Sequence, residues 1–256
     1  MNRLFLRRLT VDAAALPPDS YLAALPAVRC GSLSFQKPVT FFVGENGTGK
    51  STLIEAIAIA WGLNPEGGSR NFRFSTRDSH SDLHRILRLE KGPLLPRDEY
   101  FLRAESFYNA ASYIDELDDS PGDPSPLLIG AYGGTSLHNQ SHGESFLSLA
   151  LHRFRAKGLY LLDEPEAALS PTGQMALLAR VYELASQGAQ FLIATHSPLL
   201  MTCPGSEVYE FRAEGPRLVP YDQTAHFQIV RRFLNKPDEM LHALLKEGGV
   251  NTDAMS

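Results

Sequence analysis

Val39-Thr40-Phe41-Phe42-Val43 runs directly into Gly44-Glu45-Asn46-Gly47-Thr48-Gly49-Lys50-Ser51, after which Leu53, Ile54, Ile57 and Ala60 recur at helical spacing. The first run reads as a strand, the glycine-rich octet as a loop, and the periodic residues as a helix laid on a sheet. Strand, glycine loop, lysine, hydroxyl and helix in that order make a phosphate cradle. Glycines let successive backbone N–H groups turn inward on an anion, Lys50 brings a mobile charge to the β- and γ-phosphates, and the Ser51 hydroxyl can ligate Mg²⁺. The helix adds the positive end of its dipole. Glu45, Asn46, Gly47, Thr48, Gly49, Lys50, Ser51 and Thr52 are therefore the candidate nucleotide-binding residues. A turn that carried a lysine by chance would lack the flanking strand and helix.

A second segment, Leu159-Tyr160-Leu161-Leu162-Asp163-Glu164-Pro165, is an apolar strand that ends in two adjacent carboxylates. The carboxyl edge of a parallel sheet is where an α/β fold builds its ligand site. Asp163 is the expected second metal residue beside Ser51. Glu164 is placed to polarise the water that attacks the γ-phosphate. Alone, Asp163-Glu164-Pro165 would read equally well as a surface turn; beside a phosphate loop the catalytic reading is the better one.

The 256 residues suffice for one substantial core, and 43% apolar with 21% charged residues is ordinary for a globular chain. The expectation is a single domain over 1–256 with a variable insertion at about 62–134. No apolar stretch is long enough to cross a bilayer, and Met1 to Arg8 alternates charge with apolar residues too closely for a signal peptide, so a cytoplasmic location is expected. Two cysteines, Cys30 and Cys203, give neither a zinc pattern nor a disulfide framework. A net charge of −5 argues against a uniformly basic surface, though a local basic patch is compatible with it.

Along the chain, strands are expected at Leu4 to Thr10, Gly31 to Phe35 and Val39 to Val43, a strand-rich start broken at Pro17-Pro18. Gly62 to Ser69 stops the first helix. Further strands are expected at Leu83 to Leu89 and Tyr100 to Ala104, a helix at Ser106 to Leu117, and an irregular proline- and glycine-rich segment from Ser120 to Gly134. Then come a helix from Gly143 to Phe154, a strand from Gly158 to Leu162, a helix from Pro171 to Ser186 and a strand from Gln190 to Ala194. Ser170 as N-cap, Pro171 at the first helical position and Gly188 past the end bound the last of these helices. Such alternation predicts an α/β fold with a mainly parallel sheet flanked by helices, and the strand-rich start is expected to form an antiparallel N-terminal part.

With these motifs in this order the chain resembles the ABC-type branch of P-loop ATPases, a group that includes SMC and RecF-like proteins and small predicted bacterial AAA-family ATPases. Ser141-His142-Gly143-Glu144-Ser145 is similar to that family's signature, in a looser form of Ser-Gly-Gly-Gln. Ala167-Ala168-Leu169-Ser170 is similar to its D-loop, and Thr195-His196-Ser197-Pro198 to its switch histidine. A serine and glycine opening a helix present hydroxyl and N–H groups to an anion. The resemblance implies that Ser141 and Gly143 meet the γ-phosphate held by the opposite subunit of a dimer, that His196 senses that phosphate, and that the nucleotide is ATP. The family's glutamine between the phosphate loop and the signature is missing, and Glu105 stands nearest to its expected place.

The function implied is an Mg²⁺-dependent ATPase that works as an ATP-sandwiched homodimer, with Glu164, His196 and Lys50 as catalytic residues and Ser51 and Asp163 at the metal. The alternative is a nucleotide-gated module with little hydrolysis that closes on DNA or a protein, for which Arg70, Arg73, Arg77, Arg85 and Arg88 are the candidate basic face. A small-molecule kinase fits the downstream motifs poorly. A transporter's energy subunit fits the loose signature poorly. No heptad tract marks a coiled-coil arm.

Overall fold

The computed structural model describes residues 4–17, 19–65, 67–68, 81–104 and 142–247. Their framework is a six-stranded sheet with the order β5-β6-β7-β3-β8-β9. At its centre β3 (Val39–Gly44) pairs in parallel with β7 (Gln190–Ala194), Phe41 opposite Ile193, and with β8 (Glu207–Arg212), Phe41 opposite Val208. β6 (Gly158–Asp163) lies between β7 and β5 (Asp98–Arg103), also in parallel, and only β9 (Gly215–Val219) runs antiparallel, as the return of a hairpin from β8. Every residue of β3, β6 and β7 is buried, which is why these strands read as unbroken apolar runs and not as alternating ones.

One face of this sheet carries α1 (Lys50–Trp61) and, beyond it, a three-stranded antiparallel sheet with the order β2-β1-β4. Its strands are β1 (Leu6–Val11), β2 (Ser32–Ser34) and β4 (Leu87–Lys91). Packed between the two sheets, α1 buries Leu53, Ile54, Ala56, Ile57, Ala58 and Trp61, so it is apolar over most of its circumference. The other face carries α2 (His142–Arg153) and α3 (Pro171–Ser186), which bury Phe146, Leu149, Leu177, Val181 and Leu184. Gln190, 1% exposed, joins the two sheets: its Oε1 accepts from the N–H groups of Phe5 (2.8 Å) and Leu6 (2.9 Å), and its Nε2 donates to the Leu6 carbonyl (2.8 Å).

The α/β architecture, the mainly parallel sheet and the antiparallel N-terminal part match expectation. The bounds expected for α3 and β7 coincide with those observed, and the Ser170 hydroxyl accepts from the Gly173 N–H as an N-cap. β1 starts two residues later than expected. The strand expected from Leu83 to Leu89 is realised only in part: Asp82–Ile86 forms a 3-10 turn capped by Ser81, and β4 begins at Leu87. Within the span 62–134, β4 completes the small sheet and β5 forms an edge of the large one, so this part of the span is framework. The expected helix at 106–117 and the irregular segment at 120–134 lie outside the described residues. Beyond β7 the sequence reading gave no elements; the structure has β8, β9, α4 (Ala225–Asn235) and α5 (Pro237–Glu247) there.

Candidate nucleotide site at the carboxyl edge of the sheet

The phosphate loop leaves β3 at Gly44 and enters α1 at Lys50. Gly49 is the N-cap of α1 with φ of 89°, and a Cβ there would lie 2.8 Å from the Ala27 Cβ, so the position requires glycine on both backbone and packing grounds. The 3-10 segment Pro26–Cys30 supports the loop from outside, with the Ala27 N–H donating to the Thr48 carbonyl at 3.1 Å. Lys50 is 4% exposed, and its Nζ donates to the carbonyls of Gly44 (2.8 Å) and Glu45 (2.9 Å), folding the side chain back across the loop. Burial lowers the Lys50 pKa, while the charges of Glu164, Asp163, Glu45 and Glu166 raise it. The Thr48 hydroxyl donates to the Glu45 carbonyl at 2.8 Å and closes the loop on itself.

The parallel register sets the carboxyl ends of β6 and β7 level, Asp163 opposite Ala194. Glu164 follows with φ 49° and ψ 50°, a left-handed conformation that costs a residue with a Cβ about 1–2 kcal/mol. Its N–H donates to the Ala194 carbonyl at 2.9 Å, which extends the ladder by one residue and holds that conformation. The His196 Nε2 lies 3.6 Å from the Glu164 Oε1. Burial, then the charge of Lys50, lowers the His196 pKa, so the ring is neutral at neutral pH.

The structure thus brings Lys50, Glu164 and His196 to one edge of the sheet, with Asp163 beside them. Three further residues belong to this edge and were not singled out from sequence. Glu166 is half-buried against the switch segment, where its carboxylate accepts from the Thr195 hydroxyl (2.7 Å) and the His196 N–H (2.5 Å). Burial raises its pKa despite those two bonds. Gln174 accepts from the Ser197 hydroxyl at 2.6 Å and so ties α3 to the switch segment. Arg103, at the end of β5, donates to the Glu55 Oε2 at 2.8 Å and lies 3.5 Å from the Asp163 Oδ2. A third carboxylate in Asp163-Glu164-Pro165-Glu166 was the one available signal for Glu166; Arg103 had none, since its partners come from α1 and β6.

Gly143 lies in the first turn of α2, whereas Ser141 and Glu105 lie outside the described residues. So do Arg70, Arg73 and Arg77 of the candidate basic face. Of the two that remain, Arg85 faces Asp82 at 3.2 Å and Arg88 faces Asp12 at 3.7 Å. No helix among the described residues is long and apolar enough to cross a membrane.

Residues 127–202 match the family model described as "AAA domain, putative AbiEii toxin, Type IV TA system", and residues 25–118 match one described as "AAA domain". A "Putative ABC transporter ATP-binding protein" of Streptomyces avermitilis is 32% identical over 213 residues, an overlap of 76% of this chain; the chain spans only 36% of that protein. The "Thiamine import ATP-binding protein ThiQ" of Cereibacter sphaeroides is 32% identical over 170 residues, which cover 61% of this chain and 69% of the relative. The solved SMC head domain from Thermotoga maritima superposes with a TM-score of 0.45 at 14% identity over 85% of this chain and 99% of that one. From its phosphate loop, its acidic strand end and its identity with these ATP-binding proteins, the chain belongs to the ABC-type family of P-loop ATPases.

Proposed function

We propose that the chain is an Mg²⁺-dependent ATPase that hydrolyses ATP bound between two copies of itself. The observation that supports this most is the placement of Glu164, held in a left-handed conformation by its bond to the Ala194 carbonyl and set 3.6 Å from His196, level with the phosphate loop. A carboxylate fixed there can orient and deprotonate a water at the γ-phosphate. Lys50, folded against the Gly44 and Glu45 carbonyls, is placed to exchange those acceptors for phosphate oxygens. His196 supplies a ring N–H toward the same point.

The donor set fits magnesium. The Ser51 hydroxyl and the Asp163 carboxylate are hard oxygen ligands, and this ion is commonly held by one or two protein oxygens together with substrate phosphates and water. Bound there, magnesium would neutralise charge on the β- and γ-phosphate oxygens.

Sharing of the site rests on the signature-like segment. Gly143 in the first turn of α2, with Ser141 just before it in sequence, offers the kind of helix start that receives an anion, and in this reading the anion belongs to the second copy. Glu45–Thr52 hold the phosphates on one copy while Ser141 and Gly143 of the other complete the site, and loss of the γ-phosphate separates the two. From the relatives only ATP binding is carried over. The DNA-binding alternative gains no support from the described residues, where Arg85 and Arg88 both face carboxylates.

Size-exclusion chromatography of the Glu164→Gln variant with Mg²⁺ and ATP tests the shared site. A dimer that forms with ATP, not with ADP, and is lost in Glu164→Gln/Ser141→Arg is expected. A monomer under all conditions would refute the sandwich.

A further inference from the structure

His196 has a neighbour that the ATPase reading does not use. His226, in the first turn of α4, brings its Nε2 to 3.2 Å from the His196 Nδ1, with the two rings 5.1 Å apart at 61°, edge to face. We propose that His226 is a positioning residue for hydrolysis, which fixes the His196 ring and its Nε2–H tautomer by donating a hydrogen bond to the His196 Nδ1. The proposal rests on the reading of His196 as the group that faces the γ-phosphate.

The tautomer follows from the charges on either side of the ring. The His196 Nε2 faces the Glu164 carboxylate at 3.6 Å and has no hydrogen-bond partner among the described residues. A carboxylate favours an N–H on the nitrogen that faces it and repels a lone pair there. The proton of the neutral ring therefore belongs on Nε2, which leaves Nδ1 as an acceptor. The atom within reach of that acceptor is the His226 Nε2, which must then carry its own proton and donate. In the reverse arrangement His196 would give its only proton to His226 and turn a lone pair toward both Glu164 and the phosphate.

The place of His226 is built by the surrounding chain. Thr224, fully buried, caps α4 by accepting from the Phe227 N–H, and its hydroxyl donates to the Tyr221 carbonyl at 2.7 Å. The buried Glu210 of β8 accepts from the Ala225 N–H at 2.7 Å. Phe227 packs edge-on against Tyr221, with centroids 5.2 Å apart. These contacts on both sides of His226 fix the first turn of α4 to the sheet, whereas α4 as a whole has no buried residue. The helix is anchored where it touches the switch histidine, and that contact gives the C-terminal part of the chain a defined role at the site.

Two variants and two readouts test this. His226→Leu removes the donor at a half-buried position, and His226→Gln keeps an N–H donor near the place of the Nε2. With Mg²⁺-ATP, His226→Leu should lower kcat by about tenfold, the scale seen for outer-shell partners of functional histidines, while KM stays within about twofold. His226→Gln should recover most of that loss. Independently of turnover, ¹⁵N–¹H correlation spectra of the His196 ring should place the proton on Nε2 in the wild type and in His226→Gln, and should show Nδ1–H gaining population in His226→Leu. A wild-type ring protonated on Nδ1, an unchanged His196 spectrum in His226→Leu, or a loss of kcat that glutamine fails to rescue would overturn the proposal. If the wild type hydrolysed no ATP, the ATPase reading would fall, and the spectra alone would decide whether His226 sets the tautomer.

Discussion

Replacing Gly49 by alanine, with Gly47→Ala as its control, separates two reasons for glycine in the phosphate loop. Both residues have left-handed backbones, φ 89° at Gly49 and 78° at Gly47, so each substitution pays about 1 kcal/mol of conformational strain. At Gly47 nothing lies within 4 Å of the new Cβ, and the cost ends there. At Gly49 the new methyl would lie 2.8 Å from the Ala27 Cβ and 3.4 Å from the Leu25 Cβ. Carbon atoms pack best about 3.5–4.0 Å apart, so the loop or the Pro26–Cys30 segment must move by roughly 0.7 Å or more. Overpacking of this kind adds about 2 kcal/mol. At about 3 °C per kcal/mol for a chain of this size, Gly47→Ala should lower Tm by about 3 °C and Gly49→Ala by about 9 °C. The same displacement turns loop N–H groups away from the phosphates. Loss of one charge-assisted bond costs about 1.5–3 kcal/mol, so calorimetric titration should show at least about tenfold weaker ATP binding for Gly49→Ala relative to Gly47→Ala. Equal Tm and equal affinity in the two variants would refute this account of the contact between the loop and residues 25–27.

Gln190→Leu removes three hydrogen bonds at a site 1% exposed and leaves the N–H groups of Phe5 and Leu6 and the Leu6 carbonyl without their partner. Urea unfolding should show a loss of about 3 kcal/mol or more, and a change under about 1 kcal/mol would mean that the two sheets are held together by packing alone. Glu166→Gln tests the half-buried carboxylate behind the switch segment. Because burial raises the Glu166 pKa above 4.5, the folded state keeps its proton where the unfolded state has lost it, and wild-type stability falls as pH rises from 4.5 through the folded pKa. The variant lacks that loss, so its stability relative to the wild type should be constant below about pH 4 and rise above it. A difference independent of pH would contradict the assignment.

Local patterns carried most of the reading, and partners distant in sequence account for what was missed. The phosphate loop, the acidic strand end and the switch histidine are each set within a few consecutive residues, and the capping signals at Ser170 and Gly188 act over three or four, so both motif and boundary were legible. β8 was not, because Glu207 and Glu210 make Glu207–Arg212 look half-solvated when all but Arg212 are buried. Their carboxylates serve donors elsewhere in the chain: Glu207 accepts from the N–H groups of Gln36 and Lys37 and from the Thr40 hydroxyl, and Glu210 from the Ala225 N–H. Such carboxylates are spent on satisfying buried donors, a use that hydropathy patterning does not register. Arg103, Glu166 and His226 were missed for the same reason. Each gains its meaning from a residue 29 or more positions away: Arg103 from Glu55 and Asp163, Glu166 from Thr195 and His196, His226 from His196. α1 shows the opposite case: its periodic residues were read correctly as a packed face, but cover from both sheets makes nearly the whole helix interior.

Phosphate release from ATP, measured under multiple-turnover conditions with Mg²⁺ for the wild type and for Glu164→Gln, tests the central assignment most directly. The account predicts slow turnover by the wild type that stops when Mg²⁺ is chelated, and a Glu164→Gln variant that still binds ATP but releases no phosphate above background. Undiminished phosphate release by Glu164→Gln would contradict it.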